Sequence, residues 1–363
     1  MAKRSRPTPA EGTTLRNLIS EVTKEYGEGV IIKGNAVPTY TYLPTGIFTL
    51  DMALLGGIPE SAFTLLYGNP SSGKSTLAVK ISASAQQKYP DKEVLYVDME
   101  GTYDPSWAEK HGVDGDRLAY ARPQSGEQAV DIICAAAEAE DVSLIIVDSL
   151  AAMVPTKDLD SSASDPVVAT RAKMLAQMMA KLKNKIIEER KKGHQVTVVM
   201  INQFRLKIGV MFGDPRTLPG GEAQHFYADV KIEMKNKERV GKDERDNEVV
   251  DYNEHSFVLA KAKTGNSLRN AEFRMIRNPD HVCGAGFIDD GSTVLAFGKK
   301  MGLVTGGGSS WSIDGIDQKF SKGDDMIEYL YANPEEFRIL KQKLVSLQRR
   351  SMGVPALPRD EYL

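Results

Sequence analysis

Short apolar runs rich in β-branched residues recur through the middle of the chain: FTLLY at 63–67, EVLYVD at 93–98, SLIIVD at 143–148 and VTVVMI at 196–201. Between them lie stretches of helical spacing, TLAVKISASAQQ from Thr76 and the long segment 168–192. Strand–helix alternation with near-continuous apolar strands predicts a parallel sheet covered on both faces. After residue 227 the pattern changes. DVKIEMK, SFVLAKAK and NAEFRMIR read as consecutive strands with turn signals between them, which predicts an antiparallel edge. Near the start, Leu15, Leu18, Ile19, Val22 and Tyr26 fall at helical spacing, and GEGVIIKG ends that helix and begins a short strand. One apolar stripe with so little chain around it must dock, either on its own domain or on a neighbouring subunit. Residues 1–13 read as a disordered tail. Residues 281–363 read as a small mixed domain, with GFIDDGSTVLAFGKKMG, a turn at GGGSS, and helices around MIEYLYA and FRILKQKLVSLQRR. The expected class is α/β, divided at 1–33, 34–280 and 281–363.

Composition narrows the partners more than the fold. A length of 363 residues allows one large domain and one or two small ones, and 41% hydrophobic residues support a packed core. Lys plus Arg number 46 and Asp plus Glu 49, for a net charge of -3, so any nucleic-acid surface must be a local patch. Cys134 and Cys283 fit no metal-ligand spacing and read as structural thiols in a reducing compartment. The N-terminal MAKRSRPTPAEGTT has no apolar run behind its basic residues, and no stretch approaches the ~18 apolar residues of a membrane span. These features predict a soluble, cytoplasmic protein. The histidines show no metal-like grouping, and His111 and His225 read as structural or exposed.

The run GNPSSGKST, from Gly68 through Asn69, Pro70, Ser71, Ser72, Gly73, Lys74 and Ser75 to Thr76, matches G-x-x-x-x-G-K-[ST] between a strand and a helix. Its glycines let backbone amides curl into a nest for phosphate oxygens, and the helix N-terminus adds partial positive charge. Lys74 is placed to reach the β- and γ-phosphates, and the Ser75 hydroxyl to hold Mg²⁺. Asp148 closes the apolar strand SLIIVD, at the strand end where open α/β sheets bind ligands, and is the second metal anchor. No Asn-Lys-x-Asp element occurs, which favours adenine over guanine. Hydrolysis needs a group to activate water. Glu100 and Asp98, both near the end of EVLYVDMEG, compete for that role, and spacing alone divides them evenly.

GNPSSGKST, VLYVDMEGTYDPSWAEKHGVD, LIIVDSLAAMVP and above all INQFRLKIGVMFGDPRTLPGGEAQHFYADVKIEM resemble the RecA-type recombinases, most closely those of T-even phages. The likeness runs from about Leu15 to about Arg277, with a weaker echo to the C-terminal helices. It implies a RecA-type P-loop ATPase core with a mostly parallel sheet and antiparallel edge, an N-terminal docking arm and a small C-terminal α/β domain. It implies ATP and Mg²⁺ as ligands and a helical homopolymer on single-stranded DNA that pairs with homologous double-stranded DNA and exchanges strands. It places the chain in recombination, repair and recombination-dependent replication, served by a single-strand-binding protein and a loading mediator. By position, Glu100 becomes the water-activating carboxylate, Asp104 the partner of the adenine amino group, Trp107 the adenine-stacking aromatic and Gln203 the γ-phosphate sensor. Lys261 and Lys263 resemble paired lysines that reach a neighbour's ATP, and Phe226 a residue at the subunit joint. Asp158 to Arg171, with Lys173 beyond it, stands at the first DNA-binding loop. Phe204 to Gly221, including Arg205, Lys207, Ile208, Gly209, Arg216, Thr217, Gly220 and Gly221, stands at the second. Gly101 takes the place of a histidine of the bacterial members and Arg216 that of an acidic residue. The first loop has little glycine, and the tail RRSMGVPALPRDEYL is not strongly acidic.

Arg205, Lys207 and Arg216 share one glycine-containing stretch without a base-reading helix, which suits sequence-neutral phosphate binding. The richer basic run KLKNKIIEERKK at 181–192 reads as a solvated helix face, and KNKERVGKDER at 235–245 as a charged hairpin turn. Two rival functions remain: a ring helicase with the same core, and a nucleotide-gated binding module without catalysis. The docking arm and the INQFRLKIGVMFG loop oppose the first, and Glu100 opposes the second.

Overall fold

The computed structural model describes residues 14–27, 30–37, 39–159, 168–206, 213–242, 248–263, 270–279 and 283–357. The chain divides into two compact units, Met1–Tyr40 and Thr41–Leu363. In the first, helix α1 (Leu15–Tyr26) starts where Thr14 Oγ1 accepts from the Asn17 amide, and it stops at Gly27, whose φ is 93°. Leu15 and Tyr26 of its stripe are exposed. The strand expected in GVIIKG does not form. A strand needs a hydrogen-bonding neighbour, and no described strand pairs with Val30–Lys33. Val30, Ile31 and Ile32 are exposed as a result.

The second unit is built on nine strands: β1 (Phe63–Gly68), β2 (Glu93–Asp98), β3 (Leu118–Ala121), β4 (Val142–Asp148), β5 (Thr197–Gln203), β6 (Val230–Lys242), β7 (Glu248–Ala262), β8 (Asn270–Ile276) and β9 (Ile288–Asp289). Their order is β9-β8-β7-β6-β1-β5-β4-β2-β3. The run from β6 through β3 is parallel, and β6 to β9 pair antiparallel, so both halves of the expected sheet are present. Alternate residues of β1 point to opposite faces. Leu66 joins Leu77 and Ile81 of α3 (Lys74–Lys88) in one core, while Phe63 and Leu65 join Ile133 of α5 (Gly126–Ala136) and Met179 and Leu182 of α7 (Val168–Lys191) in the other. Burying both faces is what makes the parallel strands read as apolar runs.

Two departures from the sequence reading concern the sheet edges. β3, with sequence LAYA, was not among the expected strands, because it is only partly buried and lacks an apolar run. The run 235–245 is not simply a turn: β6 continues to Lys242, paired with β7 through Lys242↔Glu248. Ladder bonds do not require apolar side chains, and an Arg239–Glu254 ion pair bridges the two strands. Residues 243–247 lie outside the described set.

The C-terminal segment adds α9 (Gly291–Met301), a three-stranded antiparallel sheet and α10 (Gly323–Ala332) and α11 (Pro334–Ser351). Phe297 of α9 meets Phe48 of α2 (Phe48–Leu54) edge-on at 5.7 Å, and Arg349 of α11 donates to the carbonyls of Leu55 and Pro355. Among the described residues no helix is long and apolar enough to cross a membrane.

Candidate nucleotide site

The expected phosphate loop leaves β1 at Gly68 and enters α3 at Lys74. Ser71 has φ 59° and Gly73 φ 90°, so the backbone curls through left-handed conformations there, with Asn69, Pro70 and Ser71 on an exposed crest. Lys74 is 5% exposed, and its Nζ donates to the Asn69 carbonyl at 2.7 Å and to Ser72 Oγ at 3.3 Å. Burial pulls its ammonium below the usual lysine value, with Asp148 and Glu100 opposing that pull. Ser75 Oγ donates to Asp148 Oδ2 at 2.7 Å, and the Tyr96 hydroxyl donates to the same oxygen at 2.9 Å. Burial raises the Asp148 carboxyl against those two hydrogen bonds. A hydroxyl and a carboxylate meeting on one oxygen are hard donors that fit Mg²⁺, which takes few protein ligands and completes its shell with phosphate and water.

The two carboxylates that sequence could not separate do different things. Asp98 is 0% exposed. Its Oδ1 accepts from the amides of Glu100 and Gly101 at 3.0 and 2.7 Å, and its Oδ2 from the Tyr103 amide and Tyr120 hydroxyl at 2.9 and 3.2 Å. It is the peg on which the turn after β2 is wound. Glu100 stands on that turn, exposed, and reaches across the strand ends. Gln203 Nε2 donates to both its oxygens at 2.9 and 3.1 Å, and Ser149 Oγ donates to Oε1. The predicted water-activating group and the predicted sensor are therefore in direct contact, 103 residues apart in sequence.

On the far side of the loop, Trp107 Nε1 donates to Thr76 Oγ1 at 3.3 Å. Its ring meets His111 edge-on at 4.6 Å. Asp104 caps α4 (Pro105–Lys110) by accepting from the amides of Ser106 and Trp107, both on Oδ1.

Residues 13–280 match the RecA N-terminal domain. The chain belongs to the RecA family. It is 35% identical over 351 residues to Protein RecA of Ruminococcus albus, covering 96% of this chain and 83% of the relative. RecA-family proteins are DNA-dependent ATPases that use ATP with Mg²⁺ in DNA recombination and repair.

In this RecA-family chain Lys261 and Lys263 lie at the opposite end of β1 from the phosphate loop. Lys261 pairs across the ladder with Lys231, and Val230 with Thr64, whereas Gly68 pairs with Met234. Lys261 Nζ donates to the carbonyls of His225 and Phe226 at 3.0 and 3.1 Å. Lys263 Nζ donates to Asp229 Oδ1 at 2.8 Å, while Asp229 Oδ2 takes Lys183 and the Phe63 amide. Burial works to raise the Asp229 carboxyl, but these donors outweigh it and leave it below the usual range. Phe226, on α8 (Ala223–Tyr227), is 75% exposed.

The two segments expected to be DNA loops are described only in part. Arg205–Leu206 and Arg216–Thr217 form a two-stranded antiparallel ribbon. Lys207, Ile208 and Gly209, like residues 160–167 that follow α6 (Thr156–Leu159) in the expected first loop, lie outside the described residues. Arg205 is exposed. Arg216 is held by Asp214 at 2.7 Å and Glu233 at 3.3 Å and lies over the Phe204 ring. Gly220 and Gly221, with φ of 98° and 77°, face α7, where added Cβ atoms would come within 2.5 Å of Leu175 Cδ1 and 3.0 Å of Ala172 Cβ. Arg171 and Lys173 sit in the first turns of α7, Lys173 exposed and Arg171 donating to the Ala151 carbonyl at 3.2 Å. Sequence reasoning missed Ser149, Tyr96 and Asp229. Ser149 directly follows Asp148, the expected metal anchor, and was within reach of inspection; the other two act through contacts 52 and 34 or more residues away.

Proposed function

We propose that the chain is a DNA-dependent ATPase and recombinase that polymerises on single-stranded DNA and carries out homologous pairing and strand exchange. The observation that carries this reading is the Glu100–Gln203 contact beside the Ser75–Asp148 pair on adjacent strand ends, which supports Glu100 as the water-activating carboxylate, Gln203 as the sensor and Asp148 as the metal anchor. Lys74 holds phosphate oxygens, and Glu100 takes the proton of the attacking water as the bond to ADP breaks. Ser75 and Asp148 would hold Mg²⁺, which when bound would supply charge neutralisation on the phosphates. Trp107 and Asp104 receive adenine. Gln203 is continuous with Phe204 and Arg205, so a pull on its amide is felt at the DNA ribbon. Lys261 and Lys263 serve a neighbouring subunit's phosphates, which their place at the far end of β1 supports.

In this reading residues 1–33 are the docking arm, 34–280 the ATPase core and 281–363 the small C-terminal domain. Exposed Val30 to Ile32 favour an arm that finds its partner on the next subunit. Arg205, Lys207, Ile208, Gly209, Arg216 and Thr217 line single-stranded DNA, with Arg171 and Lys173 beside them. A single-strand-binding protein and a loading mediator are the expected helpers. Gly101 and Arg216 are the residues that favour the phage-type variant, with a part in recombination-dependent replication. Electron microscopy with single-stranded DNA and a non-hydrolysable ATP analogue tests the assembly: open helical filaments support the reading, and closed hexamers would replace it with a ring motor.

A further inference from the structure

His255 lies on β7, 1% exposed, against the back of the phosphate loop. Its Nδ1 is 3.0 Å from the Ser72 carbonyl oxygen. A carbonyl can only accept, so Nδ1 carries the proton and donates. The ring stacks on Phe273, with 4.6 Å between centroids and 12° between planes. It also fills the space over Gly73, where a Cβ would come within 2.8 Å of Nδ1 and Cε1. Ser72 is itself 1% exposed, and its hydroxyl accepts from Lys74 Nζ. A line of contacts thus runs from the histidine through Ser72 to the phosphate lysine. Asn236, the cross-strand neighbour of His255 on β6, adds a longer bond from Nδ2 to the Ser71 carbonyl at 3.4 Å. The other ring nitrogen, Nε2, is buried without a hydrogen-bond partner among the described residues. Packing alone does not explain a histidine there, since an apolar ring would stack equally well without an unpaired polar atom. What the imidazole adds is the Nδ1–H.

We propose that His255 is a positioning residue for nucleotide binding, holding the Ser72 carbonyl so that the loop keeps its curl and Lys74 its aim before ATP arrives. The inference rests on the reading of residues 68–76 as the phosphate loop. Ser71 and Gly73 are in left-handed conformations that an unclamped loop leaves readily, and ATP then has to restore them on binding. Pre-organisation of this kind appears in affinity and KM, and leaves turnover at saturating ATP unchanged.

Two substitutions separate the hydrogen bond from the packing. His255→Phe keeps a flat ring on Phe273 and loses the donor. Its melting temperature should stay near wild type, while the dissociation constant for MgATP rises about three- to tenfold, the loss expected for one buried hydrogen bond. His255→Asn keeps a donor at the Nδ1 position and loses the ring. It should melt earlier yet bind MgATP within about twofold of wild type. Calorimetric titration of MgATP without DNA, thermal melts, and KM with kcat supply the readouts. Wild-type MgATP affinity in His255→Phe, or affinity that follows melting temperature across both variants, overturns the proposal. Lys74→Ala run alongside keeps the two claims apart: if it binds MgATP as wild type does, it is the phosphate-loop reading that fails.

Discussion

Glu100→Gln and Asp98→Asn are near-isosteric changes two residues apart, and they should fail in different ways. The glutamine at 100 retains an oxygen for the Gln203 amide but cannot take a proton from water. Losing a positioned base costs about 10²–10⁴ in turnover, roughly 3–5 kcal/mol of transition-state stabilisation. ATP affinity and assembly on DNA should persist, because Lys74, Ser75 and Asp148 are untouched. At 98 the arithmetic concerns folding. The carboxylate accepts four hydrogen bonds, two on each oxygen. An amide nitrogen in place of one oxygen forfeits two of them at about 1.5–3 kcal/mol each for a charged acceptor, or roughly 3–6 kcal/mol of stability. The assay pairs DNA-stimulated ATP turnover, normalised to folded protein, with thermal melts and binding of an ATP analogue. Near wild-type turnover in Glu100→Gln would refute the assignment. So would an Asp98→Asn protein that melts normally and has lost more turnover than Glu100→Gln.

Replacing Lys261 or Lys263 with alanine should lower DNA-stimulated hydrolysis far more than ATP affinity of the unassembled protein. Equal loss in both measurements would return these lysines to their own subunit's site. Arg205→Ala and Lys207→Ala should weaken poly-dT and mixed-sequence strands alike and flatten log affinity against log salt by about 0.7 per lost phosphate contact. An unchanged slope in both moves the DNA site elsewhere, with the helix face at 181–192 as the next candidate. Burial, with Lys80 and Lys110 nearby, depresses His111 from 6.5 to about 4. Between those values the unfolded chain takes up a proton that the folded one does not, so stability falls as pH drops from 6.5 towards 4. His111→Leu lacks that titration, and its melting temperature relative to wild type should rise over the same window; a constant difference would mean the ring is not held neutral.

The parallel half of the sheet was legible because each strand buried on both faces leaves an apolar run, and ligand residues at strand ends follow from the run's last position. Asp148 was placed that way, and Glu100 with Asp98 as alternatives, whereas Gln203 came from the family resemblance. Choosing between Asp98 and Glu100 was beyond the pattern, since what divides them is a set of hydrogen bonds from amides and a tyrosine that the turn brings together. The outer ribbon was harder to read. β7 was recognised only from Ser256 onward, because DYNEH before it is polar, and its strand state is enforced by pairing with β6 on one side and β8 on the other. His255 fell in that unreadable part. The basic residues of the second loop were placed by the family resemblance and not by charge, and Arg216 is engaged by its sequence neighbour Asp214 and by Glu233, a partner that only the folded ribbon supplies.

From Phe63 to Gly68 the first strand spans roughly 16 Å at about 3.3 Å per residue, and Lys261 and Lys263 stand at the wrong end of it to meet their own chain's phosphates. If they act on a neighbour, catalysis belongs to junctions and not to chains. Each junction draws its loop from one copy and its lysines from the next, a head-to-tail arrangement. Two individually silent proteins, Lys74→Ala and a Lys261→Ala/Lys263→Ala double variant, would then regain activity when mixed, because about one random junction in four pairs an intact loop with intact lysines. The copy at one end of every filament would idle, so short filaments would turn over less ATP per chain than long ones.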